Sequence, residues 1–322
     1  MIQPSAAEVT LIIVTYNSAA LLEDFFAALP EALEGLSDAR VVVVDNASQD
    51  DTAVLARCSS QVDEVIVLDR NRGYAAGINA GVRASGVSDT YLVLNPDVRL
   101  GYGSVATLVT GLADPDVGIA VPKLRDEHGE LLWSLRRRPS LGRCFGEAVF
   151  GGRAGRWPGL GETMVGVEHY GHQQLADWAT GGAMLLSRRC LEHVGLWDES
   201  FFLYEEEVEF ALRAADHGFR LRLQPGADAV RIIGDDPPAD ELWALSRINK
   251  LRLYARRHSG PSTIVFWLLL LLGELLRSPR ATSHHRATLV HLLLPFRFLD
   301  GVIRRHLVDG PPRIRTAEET RS

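Results

Sequence analysis

Short runs of apolar, largely β-branched residues recur through the first part of this chain, each closed by polar or turn-forming residues and followed by a stretch of helical character. They lie at 9–15 (VTLIIVT), 40–45 (RVVVVD), 62–69 (VDEVIVLD), 91–94 (YLVL) and 118–124 (GIAVPKL). Such runs suit strands covered on both faces, although periodicity alone does not separate a short buried strand from a buried helical turn. Strands alternating with helices imply right-handed βαβ units and a doubly wound, mostly parallel α/β sheet. Ser18 reads as the N-cap of a helix through LLEDFFAAL with Pro30 beyond it, and Ser48 or Asp50 opens a second helix. The glycine-containing turn NRGYAAGIN, 71–79, runs into a third helix that ends near Gly86.

The fourth run stops at Asn95-Pro96-Asp97. Pro96 has no amide donor and biases Asn95 toward an extended conformation, so the strand should end there. Ligands bind at the carboxyl ends of strands in open α/β sheets, and Asn95 and Asp97, two apart, would point roughly the same way. The plainer alternative is that Asp97 caps a turn.

After residue 124 the alternation lapses. From Arg125 to Gln174 the chain is rich in glycine, arginine and aromatic residues, with RRRP at 136–139, and reads as a functional or partly ordered loop. Order returns at WATGGAMLLSRR, 178–189, and a helix over 204–217 puts Val208, Leu212 and Ala215 on one face and Glu205, Glu206, Glu207 and Glu209 in its first turn. A strand is expected at 219–225. Beyond Pro238, STIVFWLLLLLGELLR at 262–277 has an uncharged core of about ten residues, short of the ~20 needed to span a bilayer. A second apolar helix begins at Ala287, past a basic linker. The expected divisions are 1–238, in two halves meeting at about residue 100, then a helical appendage over 239–309 and a disordered tail over 310–322. His284, His285 and His291 read as surface residues flanking helices rather than metal ligands.

A net charge of −7 and a pI near 5.8 argue against nucleic acid as the main partner. Cys58, Cys144 and Cys190, odd in number and far apart, fit reduced thiols, and the N-terminus has no basic n-region, so a cytoplasmic location is expected. Neither GxGxxG nor GxxxxGK[ST] follows a strand, which leaves dinucleotide dehydrogenases and P-loop enzymes unsupported.

The ordered set VTYNS (14–18), DNASQDDT (45–52), NRGYAAGIN (71–79), LNPD (94–97), TGGAMLLSR (180–188) and GLWDESFFLYEEEVEFALR (195–213) resembles family 2 inverting glycosyltransferases, more narrowly their bacterial rhamnosyltransferase-like branch. The resemblance implies a GT-A fold and a single inverting displacement on a nucleotide-diphosphate sugar. Thr15, Tyr16 and Asn17 would then line the nucleotide, Asp45 and Asn46 would contact its base, and Asn71, Gly73 and Gly77 would shape the neighbouring loop. Asp97 would bind a divalent cation, Mg²⁺ or Mn²⁺, with Asn95 where the family's first aspartate stands. Glu207 would be the general base and Glu206 its nearest alternative, against the simpler reading of acidic side chains complementing a helix dipole. Thr180, Gly181 and Gly182 would floor the sugar site or make a tight strand entry. Trp197 and Asp198 would lie toward the acceptor, with Trp197 equally suited to the core. Arg231 stands where relatives often carry a histidine. It would neutralise the diphosphate directly or pair with Asp235 or Asp236.

The arginine-bordered apolar segments at the C-terminus suit an interfacial attachment to the inner face of the plasma membrane, which would bring the cleft to a lipid-linked saccharide acceptor. Packing on the catalytic part or homodimerisation would explain them as well. The runner-up to a glycosyltransferase is a nucleotide-sugar-binding protein of the same fold that has lost catalysis, motivated by Asn95 and Arg231.

Overall fold

The computed structural model describes residues 7–232, 240–278 and 283–293. The chain order is β1 (Glu8–Thr15), α1 (Ala19–Ala32), β2 (Asp38–Asp45), α2 (Thr52–Cys58), β3 (Glu64–Val67), α3 (Tyr74–Ala84), β4 (Thr90–Leu94), β5 (Val98–Leu100), α4 (Ser104–Gly111), β6 (Val117–Asp126), β7 (Leu135–Arg136) and α5 (Leu141–Phe150). There follow β8 (Gln174–Ala176), β9 (Trp178–Ala179), β10 (Ala183–Ser187), α6 (Arg188–Val194), α7 (Glu206–Asp216), β11 (Arg220–Arg231), α8 (Asp240–Arg257), α9 (Gly260–Arg277) and α10 (Ser283–Leu293).

The main sheet runs β3-β2-β1-β4-β10-β6-β11-β5, with β8 also on β11. β1, β2, β3 and β4 are parallel, as are β6 and β11, and β10 is inserted antiparallel between β4 and β6. This is the expected mostly parallel α/β sheet. Its strands are buried on both sides: Leu11, Ile13, Leu92 and Leu94 belong to one apolar layer, and Ile12, Val14, Val93 and Leu186 to the other. Helix α3 lies tight on the sheet, because a Cβ at Gly77 would come within 2.5 Å of Val14 Cγ1 and one at Gly81 within 2.5 Å of Ile12 Cγ2.

Several local expectations are corrected. Pro30 lies inside α1, in its last turn, rather than after it. Ser18 stands at the N-cap position but its hydroxyl donates to its neighbour's carbonyl, Tyr16 O, instead of capping. Asp51 is the N-cap of α2, while Asp50 receives the Thr52 amide. Within 125–174, α5 is a regular helix, capped by Ser140, which accepts from the Arg143 amide. Its signal is weak because small residues, Gly142 and Gly146, interrupt the apolar stripe.

Helices α8, α9 and α10 pack on α5 and on the loop before α7, burying Cys144, Phe202, Ile248, Tyr254, Phe266, Leu270 and Leu292 together. His285 is buried and bonded to Glu274, which departs from its expected place on the surface. The expected tail over 310–322, the far end of the second apolar helix and the side chain of His284 lie outside the described residues.

Candidate active site

The carboxyl ends of β1 and β2, with the loop after β3, deliver the first group of polar residues to one edge of the sheet. Thr15 closes β1, and its hydroxyl donates to Asp45 Oδ1 at 3.3 Å across to the end of β2. Asp45 is buried and also accepts from the Ser48 amide at 3.0 Å and from the Ser48 hydroxyl. Asn17, in left-handed backbone at φ 47°, accepts from the Gln49 amide at 2.7 Å. Asn46 is buried; it donates to Gly73 O at 3.0 Å and accepts from the Arg72 amide at 2.9 Å, while Asn71 Oδ1 receives the Gly73 amide at 3.0 Å. These side chains therefore brace three loops against one another. Tyr16, half-buried beside them, has its hydroxyl pKa raised by burial. Gly77 is set apart from this group inside α3, where its role is the packing on Val14 already described.

Gly73 is irreplaceable on two counts. Its φ is +88°, and a Cβ would fall 2.1 Å from Phe202 O. The Tyr74 amide donates to that same carbonyl at 2.9 Å, so the 71–74 loop is docked directly on the segment that leads to the acidic helix.

The second group surrounds Asp97. The end of β4 is fixed by the Asn95 amide, which donates to Gly182 O at 2.8 Å, and by Tyr74, whose hydroxyl donates to Asn95 Oδ1. Asn95 is thus spoken for by Tyr74. Asp97 receives the Arg231 Nε at 3.1 Å on Oδ2, and its carbonyl accepts the Ile232 amide at 2.7 Å. Arg231 also donates through Nη1 to Gly181 O at 3.4 Å. The alternative partners Asp235 and Asp236 lie outside the described residues. The other oxygen, Asp97 Oδ1, is buried without a hydrogen-bond partner among the described residues. No cluster of three His, Cys, Asp or Glu side chains able to hold a metal occurs among the described residues. The residues present fit a hard cation taken through that one carboxylate oxygen, with the remaining ligands coming from substrate phosphates and water, the pattern common for Mg²⁺.

The acidic cluster lies against this second group, with Tyr74 between them. Tyr204 and Glu205 have φ of 68° and 71°, consecutive left-handed residues that carry Cβ atoms. Each costs about 1–2 kcal/mol relative to a right-handed geometry, so surrounding contacts must hold them. The turn they make leads directly into α7, whose first two residues are Glu206 and Glu207. Glu206 is 3 % exposed, whereas Glu207 is half-buried beside Gly181, its Oε1 lying 3.6 Å from where a Gly181 Cβ would stand and its Oε2 buried without a hydrogen-bond partner among the described residues. Burial raises both carboxyl pKa values. Glu206 is pushed well up, first by burial and then by the Glu207 charge. For Glu207, burial is opposed by backbone amides and by the Arg231 charge. Two adjacent carboxyls both raised by burial, Glu206 the more strongly, titrate as a pair and are suited to carrying one proton between them. Tyr74 lies among Glu206, Asp97, Glu207 and Arg231, and burial followed by the three carboxylates raises its pKa well above the ordinary phenol value.

The expected acceptor-side pair does not face the cleft as a unit. Trp197 is 4 % exposed and stacks on Phe210 at 4.1 Å, with Asn79 bonded to its backbone on both sides. It is a core residue, the alternative already open for it. Asp198 binds Arg256 of α8 at 2.5 Å and accepts the Ser200 amide at 2.9 Å. Conversely, the sequence reading did not single out Tyr74, although it lies inside the NRGYAAGIN motif.

The sequence model described as glycosyl transferase family 2 matches residues 10–163. The chain is 30 % identical over 271 residues to the N-acetylglucosaminyl-diphospho-decaprenol L-rhamnosyltransferase of Mycobacterium tuberculosis H37Rv, covering 78 % of this chain and 85 % of that one. It belongs to glycosyltransferase family 2. A second family 2 relative, the low-salt glycan biosynthesis hexosyltransferase of Haloferax volcanii, is 27 % identical over 69 % of this chain and 66 % of its own length. Among solved glycosyltransferases, the Pyrobaculum calidifontis mannosyltransferase bound to GDP-mannose and Mn²⁺ superposes with a TM-score of 0.54 at 18 % identity, covering 96 % of this chain and 90 % of that one. Glucosyl-3-phosphoglycerate synthase of Mycobacterium tuberculosis, solved with Mn²⁺, UDP and its product, gives 0.51 at 15 % identity over 79 % and 81 % of the two chains. Those likenesses establish the GT-A fold for this family 2 glycosyltransferase, an enzyme that uses nucleotide sugars.

Proposed function

We propose that this glycosyltransferase moves a hexose, rhamnose by kinship, from a nucleotide-diphosphate sugar to a lipid-linked saccharide with inversion at the anomeric carbon. The observation that carries the reading is the pairing of Glu207, backed by a more basic Glu206, with the Asp97–Arg231 ion pair beside Gly181. Glu207 takes the proton of an acceptor hydroxyl as that oxygen attacks the anomeric carbon, and the bond to the diphosphate oxygen breaks with its electron pair leaving on the nucleotide. Burial makes Glu207 a stronger base than a solvated carboxylate would be. Arg231 meets the charge that grows on the leaving diphosphate, and Thr15, Tyr16, Asn17, Asp45, Asn46 and Asn71 form the nucleotide side of the cleft. A divalent cation held by Asp97 Oδ1 would neutralise further diphosphate charge.

The polyprenyl-linked character of the acceptor draws support from the name of the mycobacterial relative. Surface chemistry supports it too. Ile264, Leu268 and Leu275 make an exposed stripe on α9, beside exposed Phe145 and Val149 on α5, and Phe150 and Trp157 pack at 6.0 Å next to exposed Arg153 and Arg156. Apolar and aromatic side chains edged by arginine match the surface of an anionic membrane, so a peripheral contact at its cytoplasmic face is part of the proposal, with the helices from residue 240 onward as the membrane-facing unit.

A panel of nucleotide sugars, assayed with polyprenyl-diphosphate-linked N-acetylglucosamine, tests the reading. Transfer from dTDP-rhamnose, lost in Glu207→Gln, is the expected outcome; donor binding with neither transfer nor slow donor hydrolysis would instead favour the catalytically silent binder.

A further inference from the structure

Helix α8 meets the loop before α7 along one face. Asn249, Arg252 and Arg256, spaced at i, i+3 and i+7, all reach into residues 198–204. Asn249 is fully buried, and its carboxamide nitrogen donates to Leu203 O at 2.9 Å and Tyr204 O at 3.3 Å. Its orientation is set from the other side, because Asn249 Oδ1 accepts from Arg252 Nη1 at 2.9 Å. Arg252 also donates to Ser200 O at 3.3 Å, and Arg256 binds Ser200 Oγ at 2.9 Å as well as Asp198. Both guanidinium groups lie over the Phe201 ring, at 5.1 and 4.7 Å. The opposite side of the loop is held by the Tyr74 amide on Phe202 O.

The bonds from Asn249 fall on the carbonyls that immediately precede and share the left-handed turn at Tyr204 and Glu205. A turn of that kind persists only where its surroundings over-determine it. Next to Asn249, Lys250 is buried and binds Glu162 at 2.7 Å and Glu147 at 3.6 Å, and its charge acts on the buried Glu205.

We propose that Asn249 is a positioning residue for the general base: the face Asn249–Arg252–Arg256 of α8 templates the left-handed turn that aims Glu207 into the cleft. It rests on the assignment of Glu207 as base. The helix thereby belongs to the catalytic machinery, and its buried carboxamide acts through the loop without touching substrate.

The test uses the full chain with Asn249→Asp, which keeps the shape and removes the donor, and Arg252→Gln, a half-buried change that releases the carboxamide from behind. A small misplacement of a reacting group costs on the order of 100-fold in rate, so Asn249→Asp should lower kcat at least about tenfold and Arg252→Gln by a smaller factor. Donor dissociation constants, read by calorimetry, should stay within about threefold of the parent, because the nucleotide contacts lie on β1, β2 and the 71–74 loop. The acid limb of the pH–rate profile should move in both variants, which a merely structural role would leave in place. A folded Asn249→Asp with parental kcat and profile overturns the proposal. So does a loss of donor binding equal to the loss of kcat. If Asn249→Asp does not fold, a parental kcat and profile in Arg252→Gln overturns it. Full activity in Glu207→Gln would sink the assignment of the base instead, a result independent of the α8 variants.

Discussion

Glu206 and Glu207 are neighbours in sequence with different surroundings, and the difference fixes what each substitution does. Glu206→Gln keeps a neutral group where a protonated carboxyl is already favoured, so near neutral pH it should cost less than about tenfold in kcat. Glu207→Gln removes the proton acceptor and should cost about 10²–10⁴-fold, the usual range for a general base. Steady-state rates at saturating donor check the pair, and equal losses would contradict the division of labour. The sign of the pH effect follows from the same burial. A base whose pKa is raised is active only above that raised value, so kcat/KM should climb with pH on an acid limb lying above the ordinary carboxylate range and belonging to the pair jointly. At Gly73 the prediction concerns stability: Gly73→Ala meets both a positive φ and the Phe202 carbonyl, and should lose more than about 2 kcal/mol in denaturant unfolding. The carboxylates and glycines at this scale were legible because short motifs place them. Tyr74 and Asn249 were not, since their significance lies in which distant backbone atom each one meets.

At the scale of elements, the alternating apolar runs foretold β1 to β4 and β6 well, because a strand buried on both faces writes its burial into consecutive residues. Helix α5 was missed for the converse reason. Its Gly146 would bring a Cβ within 2.1 Å of Leu160 O, so the glycines that dilute its pattern are demanded by a chain segment packed across it. The antiparallel insertion of β10 was equally hidden, as strand direction leaves no trace in composition. The start of α7 carries a stability consequence. Burial raises the Glu205 carboxyl pKa to about 8. A carboxyl with a raised folded-state pKa contributes stability that is complete below its unfolded value and fades as pH rises toward the folded one. Thermal unfolding should therefore drop by roughly 5 °C or more between pH 5 and pH 8.5, and Glu205→Gln should flatten that dependence. A slope unchanged in the variant would assign it to other groups.

For the whole molecule, the sequence announced an apolar C-terminal third without saying what it touches. The structure gives it two faces, an inner one packed on α5 and the acidic loop and an outer one exposed on α9. If the outer face meets lipid, the double change Leu268→Ser with Leu275→Ser on the exposed stripe of α9 should weaken binding to anionic vesicles by at least about tenfold in a sedimentation assay, as expected for withdrawing two large apolar side chains. Raising salt should weaken the parent further through Arg153 and Arg156. Undiminished partition of the double variant would place the contact elsewhere.

The Asn249 bonds to the Leu203 and Tyr204 carbonyls also set an order of events during synthesis. Strands β1 to β4, with the residues proposed to hold the nucleotide, leave the ribosome early, and the acidic loop follows, but its template emerges only with α8. On the proposed template, a nascent chain that stops short of that helix would carry the residues proposed to hold the nucleotide but no aimed carboxylate, so the chemistry would stay disarmed until α8 has been made.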